Sequence, residues 1–260
     1  MSAAVTDTPA FRPGPRAWAA MVAAEARMVA RDTAGLVVPI GLPMLFLVMN
    51  GLGSSTEPLP GAGGMSAFDI YVLPLILVIG VATIGVVNMP SFLSYYRKSG
   101  VLRRLGVTPA SPVMILVAQL VVSVLQTALG VALAVGVAVL GFGANLPDRW
   151  GAAIGVFALA AAAMYAVGLL VASIAPSPNA AVAIGLGTFF VLGAVGGMFG
   201  PATSLPDGVA RVGELLPFGA AVIALGTTWL GEAPELRHLL ALAAAIVVSG
   251  LLAARLFRWQ

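Results

Sequence analysis

"IYVLPLILVIGVATIGVVNMPSFLSYYRKSGVLRRLGVTPASP", residues 70–112, joins a long apolar stretch to the densest group of positive charge in the chain. The first part, residues 70–96, contains no Asp, Glu, Lys or Arg. It is long enough to cross roughly 30 Å of hydrocarbon as a helix, which takes about 20 residues. The second part carries four basic residues within eight positions: Arg97, Lys98, Arg103 and Arg104. The stretch therefore predicts a membrane span that ends in a basic loop.

The composition of the whole chain agrees with a membrane protein. Of 260 residues, 60% are hydrophobic and 9% are charged, whereas about 25% are charged in an ordinary soluble domain. The chain has no cysteine, which excludes disulfides, thiolate metal sites and cysteine nucleophiles. The net charge of +3 does not indicate nucleic-acid binding, because no soluble segment is long enough to present a basic face.

The same uncharged, apolar pattern recurs along the chain and predicts an all-α, polytopic protein. The break "APSPN", residues 175–179, divides one long uncharged stretch into two spans, because two prolines cannot continue a helix. Six spans are predicted, at about 34–53, 70–93, 113–142, 150–174, 179–200 and 238–255. We divide the chain into a tail with an interfacial helix, residues 1–33, and a transmembrane domain, residues 34–260.

The distribution of Lys and Arg predicts the orientation of these spans. Six spans place both termini on one side, and ten of the 13 basic residues fall on that same side. Because basic residues favour the cytoplasmic side of a membrane, we expect cytoplasmic termini and a cytoplasmic basic loop.

The segment "PRAWAAMVAAEARMVARD", residues 15–32, predicts an amphipathic helix in the cytoplasmic headgroup layer. Trp18 lies on its apolar stripe, and Arg27 and Arg31 lie on the opposite face. Glu25 falls inside the apolar stripe, where a helix that only lies on lipid would not select an acid. Two explanations stay open: a cationic partner from another loop or subunit, or a snorkelling or locally paired carboxylate.

The residues for most enzymatic chemistry are missing. His238 is the one histidine, so neither a histidine zinc site nor a Ser-His-Asp triad can be assembled. The pair Lys98-Ser99 lacks the glycines of a phosphate-binding loop, so we expect no enzyme and no ATP binding in this chain. No Asp, Glu, Lys or Arg lies well inside a predicted span, which argues against proton coupling. A transporter of this kind needs a partner that supplies energy.

Uncharged polar residues occur in or near the spans. Each is able to form a hydrogen bond between helices, and as a set they are candidates to line a translocation path. These residues are Asn50, Asn88, Gln119, Gln126, Tyr165 and Asn179.

Two separated stretches resemble the permeases of type-2 ABC exporters. "RKSGVLRRLGVTPASP", residues 97–112, is similar to the pattern R-x-x-G-x-L-x-R-L-x-x-T-P-x-S that follows the second span in that family. "MFGPATSLPDGVARVGELLPFGAAVIALG", residues 198–226, resembles the family's segment after span five.

The resemblance implies a dimer of six-span subunits, identical or paralogous, docked on cytoplasmic ATPase subunits that bind ATP and Mg. No cofactor is expected in this chain. The basic loop would form a coupling helix against the ATPase, and its alternative role is an anchor on anionic lipid. The residues implied for coupling are Tyr95, Tyr96, Arg97, Lys98, Gly100, Leu102, Arg103, Arg104, Leu105 and Pro109. The segment after span five would form short re-entrant helices that include Leu205, Pro206, Glu214, Pro217 and Phe218.

The function expected from this resemblance is export across a bacterial plasma membrane. The loop is most similar to that of drug and antibiotic exporters, so the expected substrate is hydrophobic, amphipathic or lipid-linked. A polysaccharide or glycolipid exporter of the same fold is the alternative. An alternative of another class is a non-transporting membrane protein, such as an assembly factor or the membrane domain of a sensor.

Overall fold

The structure, a computed structural model of the chain, describes residues 14–55, 57–100, 112–200 and 205–256. Nearly all of these residues are helical, and no β-strand forms among them beyond an isolated bridge between Pro58 and Ser66. The helices in the described part are α1 (Pro15–Arg31), α2 (Thr33–Gly53), α3 (Phe68–Lys98), α4 (Pro112–Phe142), α5 (Trp150–Ile174), α6 (Pro178–Val195), α7 (Asp207–Leu215), α8 (Pro217–Trp229) and α9 (Leu236–Leu256).

Six of these helices, α2 to α6 and α9, are long and apolar enough to cross a membrane. This confirms the predicted all-α fold with six spans. The helices begin and end within a few residues of the predicted spans. The largest differences are at α3, which continues to Lys98, five residues beyond the predicted end of span two, and at α6, which ends at Val195, five residues before the predicted end of span five.

α3 is the central helix of the bundle. In its most apolar 18-residue window 78% of the residues are buried, whereas the corresponding share is 17% to 44% in the other five spans. It contacts α2, α4, α5, α6 and α8. A helix that is apolar all round is suited to such a position, and α3 has the highest mean hydropathy of the six.

α2 packs on this centre through one narrow stripe. The buried residues recur at every fourth position, close to the helical period of 3.6, so that they share one face. They are Gly35, Pro39, Pro43, Leu47 and Gly51. The helix continues through both prolines, which lie on its inner side.

α7 and α8 form a bent pair before the last span. They have 9 and 13 residues and meet at an angle of 80°, and each is too short to cross the hydrocarbon core alone. α8 is buried along most of its length. The short helices implied by the resemblance are therefore present, while their depth in a bilayer stays a prediction.

Candidate functional site

The predicted coupling segment begins at the C-terminus of α3. Ser99 N–H donates to the Tyr95 carbonyl at 2.9 Å, and Gly100 N–H donates to the Arg97 carbonyl at 3.3 Å. Gly100 has a φ of +69°, a left-handed conformation that ends the helix and favours glycine. The other predicted coupling residues lie outside the described residues: Leu102, Arg103, Arg104, Leu105 and Pro109.

The last turn of α3 has two side chains that are buried or half-buried and two that are exposed. Tyr96 is buried and Arg97 is half-buried, whereas Tyr95 and Lys98 are exposed. We use the term basic end for Tyr95–Gly100 together with the residues that Tyr96 and Arg97 contact. The basic end thus combines inward-facing contacts with charge that is free to meet a partner.

Tyr96 connects the basic end to α1. Its hydroxyl donates to the carboxylate of Glu25 and lies 3.3 Å from the sulfur of Met28. Glu25 is only 5% exposed, and this burial raises the pKa of its carboxyl group, while the hydrogen bond from Tyr96 acts in the opposite direction. Among the described residues, no Lys or Arg lies within ion-pair distance of Glu25. Its observed partner is a neutral hydroxyl rather than a cation.

The remaining residues of α1 follow the predicted stripe. Trp18 is half-buried and Val29 is buried, whereas Arg27 and Arg31 are exposed. The side chain of Arg27 donates from Nε to the carbonyl of Ala23 at 3.0 Å. α1 packs mainly against α4 and α2, and its placement in a headgroup layer stays a prediction.

Arg97 connects the basic end to the turn between α5 and α6. Its guanidinium donates to the carbonyl of Ala175, which caps the C-terminus of α5. A cation is favourable there because the carbonyl groups at a helix C-terminus carry partial negative charge. Ser177 then caps α6 by accepting from Ala180 N–H at 3.2 Å. The predicted path residue Asn179 is exposed in this turn.

Two of the predicted path residues form a polar cluster with the backbone of α2. Because Pro39 has no N–H, it cannot donate the helical hydrogen bond to the Gly35 carbonyl. The side chains of Asn88 and Gln126 donate to that carbonyl instead, at 2.9 and 2.8 Å, and they also bond to each other at 3.3 Å. These side chains therefore satisfy the backbone and join α2, α3 and α4.

The other path candidates are dispersed. Tyr165 on α5 is 2.7 Å from the Thr127 hydroxyl and donates to the Ser123 carbonyl of α4 at 3.1 Å. Asn50 donates within α2 to the Phe46 carbonyl at 2.8 Å. Gln119 is buried, and its Oε1 has no partner among the described residues. The structure brings Asn88 and Gln126 together but does not gather the six residues into one cluster, and a role in a path stays a prediction.

A π-helical segment, Thr83–Asn88, interrupts α3 at its middle. The Met89 N–H, which would pair with Gly85 in an α-helix, donates to the Ile84 carbonyl instead. The next donor in π-helical register would be residue 90, which is proline and has no N–H. The Gly85 carbonyl is therefore left without a helical donor.

Glycines of the neighbouring helices cover this segment. A Cβ atom added to Gly168 of α5 would lie 1.9 Å from the Gly85 oxygen, and one added to Gly185 of α6 would lie 2.4 Å from the Val86 oxygen. Such an approach allows Cα–H contacts to the carbonyl oxygens. The middle of α3 is thus held between two helices by direct backbone packing, which sequence reasoning missed.

The opposite end of α3 begins with a polar network around a buried carboxylate. Asp69 is 1% exposed, and its carboxylate accepts from the N–H and the hydroxyl of Ser66, both at 2.8 Å. It also accepts from the N–H and the side-chain amide of Asn145, at 2.8 and 3.1 Å. The indole of Trp229 donates to the Asn145 carbonyl at 3.0 Å. We use the term capped end for Ser66, Asp69, Asn145 and Trp229.

The capped end was detectable from the sequence. Ser66 also accepts from the Asp69 N–H at 3.3 Å, so the two residues form a reciprocal capping box. The spacing Ser-x-x-Asp before an apolar run signals such a box, whereas the contributions of Asn145 and Trp229 depend on tertiary structure.

The predicted re-entrant residues fall on the bent pair α7–α8. Leu205 is half-buried and Pro206 is exposed before α7. Glu214 pairs with Arg237 of α9 at 3.6 Å. Pro217 begins α8, and the ring of the buried Phe218 lies edge-on to Phe189 of α6, with centroids 6.4 Å apart.

In the described part of the chain, no cluster of three or more His, Asp or Glu side chains could hold a metal ion. His238 is buried near the start of α9, and its ring nitrogens have no hydrogen-bond partner there.

A family model described as "ABC-2 family transporter protein" matches residues 31–255, from the last residue of α1 to the last turn of α9. No curated protein matches the chain.

Proposed function

Because the chain belongs to the ABC-2 transporter family, we propose that it is the permease of an exporter for hydrophobic, amphipathic or lipid-linked molecules. Family membership makes it a transmembrane subunit of an ABC transporter, which works with an ATPase partner. In our proposal two permease subunits associate in a bacterial plasma membrane with cytoplasmic termini. ATP bound with Mg by the separate ATPase provides the energy.

The observation that carries this proposal is the course of α3. The most buried helix of the bundle ends at the basic end, where Tyr96 contacts α1 and Arg97 contacts the end of α5. A force on the basic loop would therefore act on the centre of the bundle and on two neighbouring helices. This arrangement supports the role of the loop as the ATPase-docking segment. A loop that only anchors the chain on lipid would not require such contacts.

The proposed substrate class is supported by the apolar surroundings of the spans. A groove of about 620 Å³ lies between α4, α5 and α9, a volume typical of small-molecule sites. Its lining is apolar except for the hydroxyls of Thr127 and Tyr165, which bond to each other. Such a surface suits hydrocarbon better than the many hydroxyls of a polysaccharide.

Co-purification tests the proposal. We expect the chain, expressed from its natural gene neighbourhood, to retain an ATPase with Walker motifs through detergent extraction and to stimulate its ATP hydrolysis. Charge reversal at Lys98→Glu together with Arg104→Glu should abolish this stimulation while membrane insertion persists. Lys98 is suitable because it is exposed and its replacement leaves the Arg97 contact in place.

Arg211→Glu provides the matched control, because Arg211 is an exposed basic residue on α7. It should retain full stimulation. Persistent isolation of the wild-type chain without an ATPase would contradict the exporter and favour an assembly or sensor role. Equal stimulation by the charge-reversed and control variants would remove the basic loop from the mechanism.

A further inference from the structure

Glu25 occupies a position that contact with lipid alone does not explain. It lies on the apolar stripe of α1 and is only 5% exposed, although burial of a carboxyl group is costly without a partner. The Tyr96 hydroxyl supplies that partner, and the sulfur of Met28 lies 3.3 Å from the same hydroxyl. The buried carboxylate of Glu25 therefore has a specific hydrogen-bond donor in the last turn of α3.

The contact is local rather than part of a broad interface. α1 packs mainly against α2 and α4, whereas Tyr96 reaches it from the last turn of α3. The next residue, Arg97, contacts Ala175 at the end of α5. Two consecutive residues of α3 thus attach to two different helices immediately before the basic loop.

We propose that the Tyr96 hydroxyl and the Glu25 carboxyl form a positioning pair that makes α1 follow the basic end of α3. Movement of the basic loop by the ATPase is thereby transmitted to the amphipathic helix. The inference rests on the proposed function, because it takes the basic end as the docking segment. It adds a role for Glu25, which lies on α1 and is not among the residues implied for coupling.

The pair acts through a hydrogen bond, so charge on Glu25 is not required. Tyr96→Phe keeps the ring and removes the hydroxyl. Glu25→Gln keeps an oxygen acceptor and removes the charge, whereas Glu25→Ala removes both. Tyr71→Phe is the matched control, because it makes the same chemical change at a tyrosine near the opposite end of α3, which is 65% exposed.

The experiment uses each variant in complex with the Walker-motif ATPase that co-purifies with the wild-type chain, reconstituted in lipid. It measures the ratio of stimulated to basal ATP hydrolysis, the retained ATPase and the melting temperature. We expect Tyr96→Phe and Glu25→Ala to retain the ATPase but to lower the ratio about fivefold, the factor that one hydrogen bond typically contributes to an equilibrium. Glu25→Gln and Tyr71→Phe should match the wild type.

The conservative variant separates positioning from general stability. If Tyr96→Phe lowers the melting temperature, the comparison of Glu25→Gln with Glu25→Ala decides, because both remove the same charge. Equal ratios for Tyr96→Phe and Tyr71→Phe, or a defect in Glu25→Gln as large as in Glu25→Ala, would overturn the positioning pair alone. A wild-type chain that recruits no ATPase would overturn the proposed function, and the positioning pair with it.

Discussion

The two ends of α3 are held in different ways. At the capped end, the carboxylate of Asp69 accepts four hydrogen bonds from Ser66 and Asn145. At the basic end, Tyr96 and Arg97 each attach a different helix through a single side chain. A network around a buried carboxylate with every group satisfied fixes one geometry, whereas single polar contacts restrain a helix end less. In the proposed mechanism, α3 is therefore anchored at the capped end and adjustable at the basic end.

This asymmetry fits the transmission of force through a bundle. A helix that is free at both ends would tilt without moving its neighbours in a defined direction, and one fixed at both ends would not respond. The middle of α3 is held between Gly168 and Gly185 by backbone contact. We therefore regard this segment as the fixed point about which the basic end moves.

The largest expected effect comes from disturbing the middle of α3, the fixed point between its two ends. In Gly168→Ala the new methyl group would lie 1.9 Å from the Gly85 oxygen, so α5 must move away from α3. We expect a loss of about 3 kcal/mol in the free energy of unfolding, measured as a lower melting temperature in detergent. Gly155→Ala on the same helix is the control, because its Cβ would meet nothing within 4 Å. Equal stability of the two variants would show that α3 is not held there.

The next largest effect should follow from opening the capped end. Asp69→Asn replaces an acceptor oxygen by an amide that faces the donors of Ser66 or Asn145, so at least one buried donor loses its partner. We expect a loss of about 2 kcal/mol in the free energy of unfolding, measured as a lower melting temperature, without a change in ATPase recruitment. Asp148→Asn, an exposed position in the adjacent loop, should be neutral. A neutral Asp69→Asn would mean that the capped end is no firmer than the basic end.

A smaller effect is expected in the polar cluster on the basic half of the bundle. In Gln126→Leu the Gly35 carbonyl loses one hydrogen-bond donor but keeps the donor from Asn88. We therefore expect a loss of about 1 kcal/mol in the free energy of unfolding, measured as a lower melting temperature. Gln119→Leu is the matched control, because the Oε1 of this buried glutamine has no partner among the described residues. It should be neutral or stabilising, and a larger loss at Gln119 than at Gln126 would contradict the cluster.

The smallest effect concerns the pH dependence of the basic end. Burial raises the pKa of Glu25 above its ordinary value of 4.5, so the folded chain holds this proton to higher pH than the unfolded chain. The associated stability is complete below about pH 4.5 and is lost as the pH rises through the raised pKa. The melting temperature of the wild type should therefore fall relative to that of Glu25→Gln across this window. Glu57→Gln, at an exposed position, should show no such divergence, and parallel curves for Glu25→Gln would contradict the burial.

The fold could be predicted from the sequence because membrane crossing is decided by uninterrupted apolar length. The six spans, the break at residues 175–179 and the amphipathic stripe of α1 all depend on local composition and period. Periodicity also identified Glu25 as unusual, since an acid on an apolar stripe needs a partner. The identity of that partner, Tyr96, depends on how α1 and α3 meet and was not available from local patterns.

The central position of α3 and its fixed point are tertiary properties. All six spans are apolar, because lipid and protein interior select similar residues, so composition alone separates a central helix from a peripheral one poorly. Pro90 has no N–H to donate within the helix, but the glycines that cover the Gly85 and Val86 carbonyls lie on other helices. For the polar residues predicted to line a path, that role stays a prediction. For Asn88 and Gln126, the structure provides a local reason in the proline of α2.

The most direct test of an adjustable basic end and a fixed capped end is a distance measurement between spin labels in the reconstituted complex. The chain has no native cysteine, so labels can be attached at introduced cysteines, with excess unlabelled subunits to isolate distances within one chain. One pair, Lys98→Cys with Asn179→Cys, reports on the basic end, and a second, Glu57→Cys with Asp148→Cys, reports on the capped end; all four positions are exposed. On trapping the ATP-bound state, the first distance should change by several ångströms while the second stays constant. An unchanged first distance during active ATP hydrolysis, or an equal change at both ends, would contradict the asymmetry.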